Sequence, residues 1–265
     1  MTAQTRESEA GEPRSSSVIV NVIDVLRCFT VDDPLLGVTE IATSVGLHKS
    51  SISRILSTLE QERIVERDEL SRKFRLGLGL IAVAGPLLAN LDARRIAYPV
   101  LQELAETTGE TAALNIWDGA ESVSVEQIPS RKQVKHTSPI GTRYGTPLSA
   151  SVQVFLAYQE ESVVRELLSR SRAEEHDPAG PQDLKTYLRR LETVRERGYA
   201  CNYGETSHEE VGVAAPIMGH RGEVAAALMV AAPLYRIHDA ELTRLAEACC
   251  RAAARISRRM GGQPE

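Results

Sequence analysis

Residues 48–58 combine small hydroxyl side chains with two cations and contain no acid. Apolar residues recur there at Ile52, Ile55, Leu56 and then Leu59, which is the i, i+3, i+4, i+7 spacing of an amphipathic helix. The polar side chains opposite this stripe are His48, Lys49, Ser50, Ser51, Ser53 and Arg54. Short donors and a lysine suit contacts with phosphate oxygens, and an arginine is long enough to reach the edge of a base. The chemistry that this face predicts is binding of duplex DNA.

A second amphipathic segment precedes this helix, with Val38, Ile41 and Ala42 inward and Thr39 on its exposed side. Gly46 separates the two segments, at a point where a helix must end and the chain must turn with positive φ. Two helices joined by such a turn predict a helix-turn-helix. An ordinary αα-hairpin with a solvated, serine-rich face is the alternative interpretation of the same pattern.

Two short strand-like runs follow the second helix, on either side of the polar turn of residues 68–72. Their apolar side chains can face inward while basic side chains face outward. Arg72 and Lys73 are predicted to lie nearest phosphate or the minor groove. A further amphipathic helix over residues 18–29 comes before the helix-turn-helix. Three helices and a basic hairpin in this order predict a winged helix-turn-helix domain over residues 17–77, and they favour DNA binding over the αα-hairpin.

The winged-helix segment is close to electrically neutral. It has eight Lys and Arg against nine Asp and Glu between Val18 and Leu76, in a chain whose net charge is −5. Its acids lie mostly off the polar face of the second helix, and the local distribution of charge decides affinity for phosphate more than the sum does. A near-neutral module predicts modest affinity per copy. We therefore expect two copies to bind one pseudo-palindromic operator, which requires a dimer.

The rest of the chain predicts one larger domain. Residues 1–16 are polar and are expected to form a disordered tail, and the apolar run of residues 78–92 predicts a linker helix. From residue 93 to residue 262, helical patterns alternate with strands that pair through hairpin turns, such as the one at Asp118-Gly119. The expected fold class is α+β with a mainly antiparallel sheet.

Several classes of function are disfavoured. The longest apolar run is interrupted by Gly85 and Pro86 and falls short of a membrane span, and no signal-peptide core is seen. The four cysteines lack metal-ligand spacing, so we expect free thiols, a cytoplasmic protein, and neither a metal nor a cofactor. The six histidines are scattered, and no nucleophile elbow or phosphate loop occurs. The adjacent residues Ser207-His208-Glu209 cannot form a catalytic triad by themselves, so an enzyme is not expected.

The order of these motifs resembles the IclR family of bacterial transcriptional regulators over roughly residues 17–260. The segments that carry the resemblance are residues 38–56, Phe74-Arg75-Leu76-Gly77, residues 104–111, Arg197-Gly198-Tyr199-Ala200 and Val213-Ala214-Ala215-Pro216-Ile217. The resemblance implies an N-terminal winged helix, a linker helix and a C-terminal effector-binding domain with a GAF-like sheet. It also implies a dimer or a dimer of dimers, and a small-molecule effector that changes operator affinity by favouring one arrangement of the linker helices.

The resemblance further implies which residues bind the effector. They are His136, Tyr144, Ala150, Ser151, Asn202, Gly212, Met229 and Ala231. The backbone N–H groups of Ala150 and Ser151, at the start of a helix, suit a carboxylate. For the other side chains, core packing or turn chemistry is the alternative interpretation.

Four of these positions depart from the family's pattern. Asn202 stands where the family often has an acid, and Gly212 where it often has a cysteine. Met229 and Ala231 stand where relatives that bind small keto acids have hydroxyl side chains. Fewer polar groups and more volume predict a larger and more apolar organic acid, aromatic or branched, as the effector of a regulator of catabolic or biosynthetic genes. A DNA-bound regulator or scaffold with a vestigial effector domain is the alternative.

Overall fold

The computed structural model describes residues 17–90, 92–174 and 184–262, and the chain divides after Asn90 into two compact units. The predicted tail of residues 1–16 lies outside the described residues. Each unit has its own apolar core. In the ranges that are described, none of the helices combines the length and the hydropathy needed to cross a bilayer.

The N-terminal unit folds as a winged helix. In chain order its elements are α1 (Val18–Arg27), α2 (Val38–Val45), α3 (Lys49–Gln61), β1 (Val65–Arg67), β2 (Phe74–Leu76) and α4 (Gly79–Asn90). Gly46 ends α2 with a φ of 73°, the left-handed conformation that the turn was predicted to need. The strands β1 and β2 pair antiparallel, and Leu36 adds a short bridge to Phe74.

One apolar core holds α1, α2 and α3 against the hairpin. Its buried residues lie at the positions that the helical and strand patterns predict, and they include Val25, Ile41, Ile52, Leu56, Val65 and Phe74. Helix α1 ends at Arg27, two residues earlier than predicted, because the N–H of Cys28 closes a tight last turn on the carbonyl of Val25. Val18 is exposed and does not belong to the buried stripe of α1.

Two glycines join the hairpin to α4. A Cβ atom on Gly77 would stand 2.4 Å, and one on Gly79 2.5 Å, from the carbonyl oxygen of Arg63. The N–H of Gly79 donates to that same carbonyl at 3.0 Å. Because a side chain at either position would force backbone apart, these glycines fix the start of α4 against the turn that follows α3.

The C-terminal unit is α+β, as predicted. Its elements are α5 (Asp92–Thr108), β3 (Thr111–Trp117), β4 (Ser122–Ile128), β5 (Arg143–Tyr144), α6 (Ala150–Leu156), α7 (Glu161–Glu174), α8 (Leu184–Arg197), β6 (Ala200–Tyr203), β7 (Glu210–Met218), β8 (Val224–Pro233) and α9 (Asp239–Arg259). The strands form one six-stranded sheet in the order β5-β4-β3-β8-β7-β6, and every neighbouring pair is antiparallel.

Alternation along the strands gives this sheet two buried faces. One face packs against α5 and α9 through branched residues such as Leu114, Val213 and Leu228. The other, which we call the α6 face, packs against α6, α7 and α8. Its sheet residues are mostly alanines, including Ala214 and Ala227, so α6 can approach the strands closely.

Candidate functional site

The polar face of α3 is exposed. All seven residues predicted to bind DNA from the helix-turn-helix are exposed, namely Thr39, His48, Lys49, Ser50, Ser51, Ser53 and Arg54. Ile52, Leu56 and Leu59 are buried on the opposite side of the same helix. Packing of these apolar side chains fixes the rotation of α3, so the cations and hydroxyls face away from the protein.

The N-terminus of α3 adds a feature that suits an anion. His48 is the N-cap, and its side chain makes no hydrogen bond to the helix. Across the part of the chain that the structure describes, Lys49 and Arg54 form no ion pair with an acid. The first backbone N–H groups of a helix need outside acceptors and carry the positive end of its dipole. Phosphate oxygens can satisfy both the helix and the lysine.

The wing presents its two predicted contact residues differently. Arg72 is exposed at the tip of the hairpin, with a left-handed φ of 60°. Lys73 instead donates from Nζ to Glu40 at 2.9 Å, and this carboxylate also accepts the N–H of Gly37 at 2.6 Å. The hydrogen bonds from Gly37 and Lys73 lower the pKa of Glu40. Lys73 is therefore partly neutralised before any phosphate approaches.

We expect Lys73→Ala and Glu40→Gln to change DNA affinity in opposite directions. Loss of Lys73 should weaken binding to all sequences several-fold. It should also reduce the slope of log affinity against log salt concentration, by less than the ~0.9 expected for one full phosphate contact. Glu40→Gln keeps an oxygen for Gly37 but releases the ammonium, so it should strengthen binding and steepen the slope. Fluorescence anisotropy at several salt concentrations measures both. Unchanged slopes in both variants would remove Lys73 from the interface.

Sheet register brings the predicted effector residues of three strands into one row. Asn202 of β6 lies opposite Gly212 of β7, which lies opposite Ala231 of β8. Met229 is two residues before Ala231 on the same face, and it packs with Ala150 in the core of the α6 face. Ser151, the next residue of α6, is also fully buried. Six of the eight predicted residues are therefore close neighbours.

The space left by the glycine at residue 212 is filled. A Cβ atom there would meet Met229 Cε at 3.0 Å and Ala150 Cβ at 3.7 Å. The extra volume expected from Gly212 is therefore absent, because the end of the Met229 side chain occupies it. A methionine side chain is flexible, so this space can be exchanged between the side chain and a ligand.

Asn202 holds the loop that follows β6. Its Oδ1 accepts the N–H of Glu205 at 2.9 Å and that of Thr206 at 3.3 Å, while its Nδ2 donates to Thr206 Oγ1. Both lone pairs of Oδ1 are used, and one N–H of the amide remains for another acceptor. Turn chemistry, the alternative interpretation, accounts for most of the hydrogen bonds of this side chain.

His136 approaches this row through Glu210, a residue outside the predicted set, whereas Tyr144 packs against the core of the α6 face. His136 Nε2 lies 3.0 Å from Glu210 Oε2, and Glu210 Oε1 accepts Thr206 Oγ1 at 2.8 Å. The hydrogen bond to Glu210 raises the pKa of His136, and the same bond lowers the pKa of Glu210. Burial raises the pKa of Tyr144. Strand alternation could have identified Glu210, because it precedes Gly212 by two residues on β7.

A buried carboxylate anchors the loop that carries His136. Glu110 accepts Lys132 Nζ at 2.7 Å and two nitrogens of Arg236 at 2.9 and 2.7 Å. Arg236 also donates to the carbonyl of Val134 at 2.9 Å. Hydrogen bonding to Glu110 raises the pKa of Arg236. Both ends of the short segment before His136 are thereby tied to the start of β3.

Two models of one protein family match the chain. The model described as the C-terminal part of the bacterial transcriptional regulator IclR matches residues 86–258. The model described as the IclR helix-turn-helix domain matches residues 18–69. The chain belongs to the IclR family.

Named and solved members of the IclR family resemble the chain over most of its length. The transcriptional regulator XynR of Escherichia coli is 29% identical, over 92% of this chain and 96% of XynR. A solved domain described as an IclR-family regulator is 51% identical, covers 66% of this chain and 99% of that domain, and has a TM-score of 0.62. A solved IclR homologue from Microbacterium hydrocarbonoxydans, complexed with 4-hydroxybenzoate, has a TM-score of 0.79 at 24% identity, over 92% and 99% of the two chains.

Membership of the IclR family gives the general function. The relatives are named transcriptional regulators and repressors, not enzymes. The chain is accordingly a DNA-binding transcriptional regulator with an effector-binding domain, and the prediction that it is not an enzyme is confirmed by these relatives.

Proposed function

We propose that the regulator reads the major groove of its operator with Lys49, Ser51 and Arg54 of α3. The observation that carries this proposal is the fixed rotation of α3, which buries its apolar stripe and leaves its cations exposed and unpaired within the described residues. Thr39, His48, Ser50 and Ser53 supply phosphate contacts around the bases. Arg72 and Lys73 reach phosphate or the minor groove from the wing.

Dimerisation is supported by an apolar face on α1 that no described residue covers. Val18, Ile19, Val20 and Ile23 are all exposed there, and Ile19 is 73% exposed. A contiguous apolar face of this kind on a soluble protein marks an association surface. A second copy of this chain is the proposed partner, because a near-neutral DNA-binding module needs two half-sites. A dimer of dimers extends the same scheme, and a cytoplasmic location is proposed with it, because the assembly binds operator DNA.

Ile19→Glu is expected to convert the dimer to a monomer, because a buried unpaired carboxylate opposes association. Operator affinity should fall with it, since one half-site binds weakly. Val31→Glu is the matched control, because Val31 is 70% exposed but lies outside α1. Analytical ultracentrifugation measures the mass of both variants. A dimeric Ile19→Glu protein would place the self-association surface elsewhere.

The effector is proposed to be an organic acid bound among the eight residues predicted for it. The backbone N–H groups of Ala150 and Ser151 face the carboxylate at the start of α6. Ala231 and Met229 supply an apolar wall, and Met229 moves to admit the ligand. A protein of the same fold was solved with 4-hydroxybenzoate, which supports an aromatic acid as the first class to test.

A gel-shift titration against the DNA upstream of its own gene, with and without a panel of aliphatic and aromatic acids, tests this function. A specific shift that one acid changes is the expected result. A specific shift that none of the acids changes would contradict the proposed effector class.

The second candidate function is a DNA-bound regulator with a vestigial effector domain. Two observations favour it, since Met229 fills the space beside Gly212 and Asn202 is used mainly by its own loop. Calorimetric titration with the same acids separates the two functions. A vestigial domain should bind none of the acids, although the same protein still binds its operator.

A further inference from the structure

Two buried polar atoms have no hydrogen-bond partner in the part of the chain that the structure describes. They are Asn115 Oδ1 and Ser124 Oγ, and both residues are 1% exposed. A buried polar atom without a partner destabilises a protein, so such atoms are rare and need an explanation. Here both occur at one place in the effector-binding unit.

Strand register puts the two residues side by side. Asn115 of β3 is the direct partner of Ser124 on β4, so their side chains leave the sheet on the same face. That face is the α6 face, because Trp117, two residues along β3 from Asn115, packs on Phe155 of α6. The unpaired atoms therefore face the same side as the proposed effector residues.

A chain of hydrogen bonds joins these residues to the start of α6. Asn115 Nδ2 donates to Ser122 Oγ at 3.3 Å, and Ser122 Oγ donates to Ser151 Oγ at 2.9 Å. Ser149 Oγ lies 3.3 Å from Ser151 Oγ. Because the Ser122 hydroxyl donates its hydrogen bond to Ser151, its oxygen accepts the N–H of the Asn115 amide. Asn115 Oδ1 therefore remains the free acceptor. The free pair thus adjoins the proposed carboxylate site.

The chemistry of the pair selects one kind of group. Asn115 Oδ1 can only accept a hydrogen bond, whereas the Ser124 hydroxyl can donate one. A ligand hydroxyl can donate to the first and accept from the second at once. The four linked side chains and Ser124 are all neutral, so an ammonium group would be buried without a counter-charge. A neutral hydroxyl is therefore the best-matched occupant.

We propose that Asn115 and Ser124 form a second polar subsite of the effector site, which binds a hydroxyl group carried by the organic acid. The proposal rests on the proposed effector function and narrows it to hydroxylated acids. The carboxylate lies at the N-terminus of α6, and the hydroxyl is held between β3 and β4. Asn115 and Ser124 then make the protein bind a hydroxylated acid more tightly than the same acid without its hydroxyl.

Calorimetric titration of the full-length protein with benzoate, 3-hydroxybenzoate and 4-hydroxybenzoate tests the subsite. One hydroxylated acid should bind at least about tenfold more tightly than benzoate, because the unpaired groups gain partners only from the hydroxyl. In Ser124→Ala and Asn115→Leu this preference should fall to about twofold or less. Benzoate affinity should stay the same in Ser124→Ala, because the Ser124 hydroxyl has no partner among the described residues. Ser130→Ala is the matched control, because this buried serine donates to the Gly109 carbonyl at 2.6 Å, away from the subsite. It should retain the preference.

Thermal unfolding without ligand gives an independent readout. Removal of an unpaired hydroxyl should leave the Tm of Ser124→Ala unchanged or raised. Ser130→Ala loses the hydrogen bonds to the Gly109 carbonyl and from the Lys132 N–H, so it should unfold at a lower temperature. A Tm of Ser124→Ala lowered as much as that of Ser130→Ala would mean that a tightly held water already satisfies Ser124, and would overturn the subsite.

The remaining outcomes separate the two proposals. Equal binding of benzoate and both hydroxybenzoates, or a preference kept by both variants, would overturn the subsite alone. Binding of none of the three acids by a protein that still binds its operator would overturn the aromatic-acid effector and the subsite together.

Discussion

Arg54→Ala is expected to weaken specific operator binding by about 1–3 kcal/mol, roughly a factor of 5 to 150. The guanidinium is the longest donor on the exposed face of α3, and a bidentate contact with a base is worth this much. Affinity for unrelated DNA should change far less, so the ratio of specific to non-specific binding should fall. Competition gel shifts with operator and random duplexes measure that ratio.

Arg27→Ala is the control for this experiment. Arg27 is an exposed arginine of the same unit, at the end of α1 and not on α3, and it pairs weakly with Asp24 at 3.8 Å. Its loss should leave the specificity ratio unchanged. Wild-type operator affinity and specificity in Arg54→Ala would mean that α3 does not read the bases with this residue.

Glu110→Ala is expected to destabilise the effector-binding unit by about 3 kcal/mol. Glu110 is 2% exposed and holds both Lys132 and Arg236, so its removal leaves a half-buried guanidinium without its carboxylate. The segment before His136 also loses its anchor, so the response to acids should weaken in the protein that remains folded. Denaturant unfolding followed by circular dichroism gives the stability, and gel shifts give the response.

A neighbouring ion pair supplies the matched control. Glu106 binds Arg131 at 2.7 Å, but Arg131 is 86% exposed in this pair. Exposed ion pairs contribute only about 0–1 kcal/mol to stability, so Glu106→Ala should change the free energy of unfolding little. If Glu110→Ala were no more destabilising than Glu106→Ala, the buried carboxylate would not anchor the loop.

The winged helix could be predicted from sequence because its signals are local. Helical spacing identified the buried stripe of α3, and a glycine between two such stripes identified the left-handed turn at Gly46. Polar residues opposite the stripe had to be exposed once the stripe was buried. The same reasoning missed the pairing of Lys73 with Glu40, because these residues are 33 positions apart and meet only when the wing packs beside α2.

Much less of the effector-binding unit could be predicted from the sequence. Strand alternation and hairpin turns predicted an antiparallel α+β domain, but no local pattern gives the order of six strands. That order brings Asn202, Gly212 and Ala231 into one row and places Met229 over the glycine. The same register brings Glu210 to its contact with His136. It also sets Asn115 beside Ser124, whose side chains carry the two unpaired atoms.

The sequence by itself determined the class of this protein, since periodicity, turn residues and the order of motifs act over a few residues at a time. Tertiary structure decided which charges are free and which are used. Arg54 stays unpaired within the described residues, whereas Arg236 is held by a carboxylate 126 positions away. The physical reason is that side-chain partners depend on strand register and helix packing, which the whole chain fixes at once.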